Sequence, residues 1–188
     1  MRIAYKGFNA DLTCTMGKGT FQYEPGKWYE EKEANCVKNG FHCASNPLDC
    51  LDYYGAWDRS QYWVVVIDGD MDEDGTNTKI SATKIMLVKR LDMVEFLNHA
   101  ITYIIEHPEL KMNSRVKTVI TTAKEDEKFV IVRGKDPVAK AVKTGQYIAL
   151  IEEELHTNAV AAAGLYYVDG VTVKPGIFYD VDGRERQC

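Results

Sequence analysis

The chain predicts an α+β fold: a mixed, mostly antiparallel β-sheet with one long packed helix and a β-rich C-terminal lobe. Three observations carry the prediction. Short apolar runs alternate with Gly, Pro, Asn and Asp turn signals, a spacing that favours antiparallel pairing. One segment, 92–107, repeats apolar residues at helical intervals. The last third holds strand-like runs and no comparable helix.

Tyr5 to Phe8 reads as the first strand, followed by a loop through Met16, Gly17, Lys18 and Gly19. Thr20 to Tyr23 alternates briefly, and Glu24-Pro25-Gly26-Lys27 turns the chain into Trp28 and Tyr29. Gly40 to Ala44 is the next short strand. Asn46 then offers an N-cap oxygen, Pro47 suits the first helical position, and Asp49 suits the positive end of the helix dipole. This helix is expected to run about two turns, to Gly55.

Gln61 to Asp68 is the strongest strand, and its run Tyr62-Trp63-Val64-Val65-Val66-Ile67 predicts cover on both faces. The acidic segment Asp68 to Gly75 is expected to turn the chain into a second strand, Ile80 to Leu87. Asp92 caps the long helix and Pro108 ends it after His107. Val94, Leu97, Ala100 or Ile101, Ile104 and Ile105 form its expected buried stripe. Asn113 to Lys128 is polar and reads as a hinge, which divides the chain into lobes 1–112 and 113–188 or leaves one continuous domain. Phe129 to Val132, Tyr147 to Ile151 and Ala159 to Val168 are strand candidates. Asp169-Gly170 is a hairpin signal, and Lys174-Pro175-Gly176 introduces a closing strand, Ile177 to Val181.

Composition removes several function classes. With 188 residues, 45% hydrophobic and 27% charged, the chain is an ordinary globular one. A formal charge of -5 supplies no field that would draw nucleic acid or a membrane surface, and no apolar run reaches the roughly 20 residues of a membrane span. The N-terminus lacks the apolar core and cleavage site of a signal peptide. Five cysteines without a regular framework point to reduced thiols in a cytoplasm, and a bacterial cytosol or a virus-infected one fits.

The motifs Tyr5-Lys6-Gly7-Phe8, Gly40-Phe41-His42, Asn46-Pro47-Leu48-Asp49, Tyr53-Tyr54 and Asp68-Gly69-Asp70 follow one another in order. Thr78-Lys79-Ile80, Thr83-Lys84-Ile85, Val168-Asp169-Gly170, Lys174-Pro175-Gly176 and Phe178-Tyr179 complete the series. On these the chain resembles a family of uncharacterised proteins common in bacteriophages and prophages. Only 135–145 departs, being charged where relatives carry Gly and Ala. The resemblance implies a phage context and an intracellular site of action, and no chemistry.

Four constellations bear on chemistry. His42 with Cys36, Cys43 and Cys50 offers zinc-type ligands, but no paired C-x-x-C knuckle, so a hydrogen-bonded histidine among core thiols is the competing reading. Cys43 beside His42 on a strand faces the opposite side, which opposes a thiol–imidazole dyad. Asp70, Asp72 and Asp74 before Gly75 match the first half of a calcium loop; Ser81 stands where its bidentate glutamate belongs, so an exposed acidic turn competes. Arg133, Lys135, Lys140 and Lys143 lack a complete phosphate-binding loop and read as a solvated face.

The sharpest enzyme reading is similar to the ADP-ribosyltransferases. Those enzymes pair an early strand motif with a Gly-aromatic strand and a tyrosine-bearing helix that stacks on nicotinamide. Tyr5, Lys6, Gly40 and Phe41 would then hold NAD. His42, Tyr53 and Tyr54 would act on it, with a glutamate from Glu152, Glu153 or Glu154, represented by Glu153. The competing reading is that both tyrosines simply pack their helix on the sheet. The expected function is a phage- or prophage-encoded accessory protein that binds a host or phage protein, for instance to inhibit a bacterial defence. The NAD-using enzyme is the alternative, and the residues alone assign no cofactor.

Overall fold

Strand β1 (Arg2–Asn9) carries the alternation that organises the first half of the chain: Ala4, Lys6 and Phe8 share one face and are buried. The computed structural model describes residues 1–15, 19–36, 38–73, 75 and 77–187. A ribbon of β2 (Thr13–Cys14) and β3 (Phe21–Gln22) follows β1, then β4 (Trp28–Glu30) and β5 (Phe41–Ala44). Two long strands, β6 (Ser60–Glu73) and β7 (Lys79–Leu91), form a hairpin.

The ladders nearly close on themselves. Strand β1 pairs antiparallel with β6 from Arg2–Ile67 to Asn9–Ser60, and β6 pairs with β7. The other edge of β7 holds β4 and β5, and β5 returns to β1 through the single pair Tyr5–Ala44. The ring β1-β6-β7-β5 encloses a core that includes Ala4, Phe8, Val65, Ile67, Ile85 and Leu87.

The acidic segment differs from expectation. Asp68 to Glu73 continues β6 beyond a bulge between Asp68 and Met71, where Gly69 adopts a φ of 75°. Partners explain this: the Met1 ammonium meets Asp68, Arg2 meets Glu73, and Asp72 accepts the Cys36 backbone N–H at 2.7 Å. The helix after Asn46 is a 3-10 helix, Pro47–Asp52, with the Asn46 side chain accepting from the Leu48 N–H.

Helix α1 (Met93–Glu106) opens with a reciprocal capping box. Asp92 Oδ1 accepts the Glu95 N–H at 2.8 Å, and Glu95 Oε2 accepts the Asp92 N–H at 3.1 Å. Its buried stripe contains Phe96, Leu97, Ala100, Ile101, Tyr103 and Ile104, whereas Val94 and Ile105, both expected inside, are exposed. A 100° rotation per residue sends 94 and 105 to the flank once Phe96 packs on Tyr62 and Trp57. Among the described residues no helix is long and apolar enough to cross a membrane.

The chain forms two compact units, Met1–Phe96 and Leu97–Cys188. In the second, β8 (Val116–Lys117) and β9 (Thr121–Thr122) occupy the segment expected as a hinge. They are followed by β10 (Phe129–Gly134), β11 (Ala139–Lys140), β12 (Tyr147–Glu153), β13 (Val160–Tyr167), β14 (Phe178–Tyr179) and β15 (Glu185–Arg186). Two four-stranded sheets result, β13-β12-β10-β8 and β15-β14-β11-β9. Within them β10–β12, β10–β8 and β11–β9 are parallel, and the remaining pairs are antiparallel.

The expected hairpin at Asp169-Gly170 does not form. Asp169 Oδ1 instead accepts the N–H groups of Val171, Thr172 and Val173, and the closing strand pairs with β11. Buried Gln146 ties several loops together. Its Oε1 accepts from the Val142 and Lys143 N–H groups, and its Nε2 donates to the Lys124 and Glu127 carbonyls.

Candidate functional site

Strands β1 and β5 share one bridge and then part, and a cavity of about 290 Å³ lies in the wedge between them. Tyr5, Lys6 and Gly7 of β1 line it together with Gly40, Phe41 and His42 at the start of β5. The 3-10 helix and its end add Asp49, Cys50, Tyr53 and Tyr54. The sequence-predicted residues Tyr5, Lys6, Gly40, Phe41, His42, Tyr53 and Tyr54 therefore converge on one concavity. Its volume falls just under the roughly 300 Å³ at which small-molecule sites begin.

Two glycines shape the opening. Gly40 enters β5 at a φ of 81°, and a Cβ there would meet Ser81 Oγ at 2.4 Å. A Cβ on Gly7 would lie 2.8 Å from the Tyr54 ring, so the ring rests directly on the β1 backbone. Tyr54 is held on several sides. Its hydroxyl donates to Cys14 Sγ at 3.2 Å and accepts the Thr15 N–H at 3.3 Å, while its carbonyl accepts from the Tyr62 hydroxyl. Tyr54 is a wall.

Tyr53 behaves differently. It is 41% exposed at the rim, with Lys79 Nζ 5.0 Å from its ring centroid. Phe21, Tyr23 and Phe41, which also line the cavity, pack edge to face and give it an aromatic flank. Buried Asp49 accepts from the Thr78 hydroxyl at 2.6 Å and the Thr78 N–H at 3.2 Å, fastening the 3-10 helix to the start of β7.

Electrostatics decide which groups are chemically available. Desolvation holds the His42 imidazole below its ordinary value, Lys6 and Lys79 add to the effect, and a bond to the Gly40 backbone opposes it. His42 is neutral at pH 7. Burial pushes the Cys43 thiol up to about 12 and raises Cys50 as well, so neither is a thiolate nucleophile. Cys43 also belongs to the core cluster, as its strand position opposite His42 requires.

Other nominated residues lie elsewhere. Glu153 is in the second unit, where it pairs with buried Arg133 at 2.8 Å and with Lys135 at 3.5 Å, and it is not among the residues lining the cavity. Asp70 and Asp72 sit on the β6 extension, and Asp74 lies outside the described residues. No group of three or more His, Cys, Asp or Glu among the described residues is placed to hold a metal ion. Sequence reasoning missed Glu31, Lys79, Tyr23 and Phe21 as lining residues. The β5–β7 register, which sets Lys79 opposite Ala44, is the signal that brings Lys79 to the site, and it exists only in the paired sheet.

Residues 2–99 match the model of a family described as Domain of unknown function (DUF7666). The match covers just over half of the 188 residues. The chain belongs to that family. Every residue lining the cavity, from Tyr5 to Lys79, falls inside the matched segment. No curated protein and no solved structure matches the chain.

Proposed function

We propose that this chain is a phage- or prophage-encoded accessory protein of the bacterial host cytoplasm, whose first unit binds a nicotinamide nucleotide of the NAD type. One observation carries the reading: residues nominated for an ADP-ribosyltransferase-like site share the β1–β5 cavity, with exposed Tyr53 at its rim and neutral His42 beside it. The cavity's size suits the nicotinamide–ribose half, with the remainder of the dinucleotide outside. In a transfer step the bond between nicotinamide N1 and ribose C1′ breaks, and its electron pair leaves with nicotinamide. An acceptor nucleophile bonds to C1′ and gives up its proton. Within this cavity the carboxylate role assigned to Glu153 passes to Glu31, and His42 can accept a hydrogen bond or that proton.

Thermal melting with NAD tests the reading. At a ligand concentration a hundredfold above Kd, stabilisation of about 2.7 kcal/mol is expected. Tyr53→Ala, at an exposed position, should melt like the parent and lose most of that response. No shift with millimolar NAD would sink the proposal.

A second reading, capture of a host or phage protein, draws on the second unit, which exposes Val119, Ile120, Leu155 and Val171. Serine or threonine at these four positions should leave melting unchanged and abolish any benefit to phage growth. Growth unaffected by the changes would remove this reading.

A further inference from the structure

We propose that Lys6 is an anion anchor, and that the ligand of the β1–β5 cavity places a phosphate or carboxylate against its ammonium group. This deepens the ligand-site reading above and rests on it, without requiring that the ligand be NAD. The argument starts from strand alternation. Lys6 lies between Ala4 and Phe8 on the inward face of β1, a position that ordinarily takes an apolar residue. The residue is 6% exposed and lines the cavity.

The Lys6 ammonium has three donors, and among the described residues a single acceptor meets them: the His42 carbonyl at 2.6 Å. The Phe8 and Tyr23 rings lie 5.5 and 5.8 Å away and add a weak cation–π attraction. Among the described residues no carboxylate forms an ion pair with it. A buried charge without a counter-ion is costly, and one neutral carbonyl does not offset that cost. Methionine would fill the same space at lower cost, so the ammonium calls for a reason beyond packing. An anion entering the cavity supplies it.

The surroundings fit an anion attached to a planar group. The field of Lys6 and Lys79 contributes to holding His42 neutral, so the imidazole does not compete for the anion. Of the two carboxylates at the cavity, Asp49 is turned to Thr78 and Glu31 is exposed. The edge-to-face set Phe21, Tyr23 and Phe41 forms the flank for a ring.

The test uses the full chain and its Lys6→Met variant with four probes: inorganic phosphate, benzoate, nicotinamide and NAD, read by melting and calorimetry. Expected is saturable binding of phosphate, benzoate or both to the parent, at least tenfold weaker in Lys6→Met, with any nicotinamide response unchanged. The phosphate and benzoate arms identify which anion the site takes. Anion binding without NAD binding would remove the NAD reading and leave the anchor standing. NAD bound equally by parent and variant would overturn the anchor alone. A parent that binds none of the three anionic probes would also overturn it. Should Lys6→Met fail to fold, the Lys6 ammonium resonance of the parent is followed instead. It should shift on phosphate or benzoate addition, and an unmoved resonance at saturating probe would overturn the anchor.

Discussion

At the scale of single residues, His42 links the site to pH. Its imidazole is held below its ordinary value of 6.5, chiefly by desolvation and then by Lys6 and Lys79. Between the folded and unfolded pKa values the unfolded chain binds more protons. The contribution to stability is therefore complete above about pH 6.5 and is lost as the pH falls through the folded value. Melting of the parent should drop more steeply between pH 7 and pH 5 than melting of His42→Gln; parallel curves would contradict the desolvated imidazole. The sequence marked His42, Tyr53 and Tyr54 as neighbours in a strand–helix junction, and that junction is local enough to read from capping residues. It did not separate the two tyrosines. The distinction arises because Gly7, distant in sequence, leaves room for the Tyr54 ring, while Tyr53 points past the strand to the rim.

At the scale of elements, helix α1 shows why periodicity carries so far. Asp92 and Glu95 satisfy one another's backbone N–H groups, and the capping was legible in the order of residues. Asp92→Ala should cost about 0.5–2 kcal/mol, measured by chemical denaturation, because the Glu95 N–H in the first turn loses its acceptor. An unchanged midpoint would mean that packing alone sets this helix end. The acidic segment is the counterexample. Asp68 to Glu73 looks like a turn because charge and glycine favour solvent, yet it is paired strand, since Met1, Arg2 and the Cys36 N–H supply partners from other elements. The expected β-hairpin at Asp169 failed for a related reason: one carboxylate caps three N–H groups locally and frees the closing strand to seek β11.

At the scale of the whole molecule, each of the two units, 1–96 and 97–188, encloses its own buried cluster, and the family match ends at residue 99. Glu153 belongs to the second. Its carboxylate is the partner of buried Arg133, which also donates to the Pro108 and Asn158 carbonyls. Glu153→Gln strips the charge from a largely buried pair, and breaking such pairs costs about 3–5 kcal/mol. Hydrogen exchange should quicken in β10 and β12 and stay unchanged in β6 and β7; equal acceleration in both would show one cooperative body. The linear order of residues was sufficient for the α+β class, the helix, and the junction that carries the aromatic and imidazole groups, because periodicity and capping act over a few positions. Whether those groups face a hollow was settled by pairing between remote strands. Strands β1 and β5 touch once and diverge, and that divergence puts a buried ammonium, a neutral imidazole and an exposed phenol around one space.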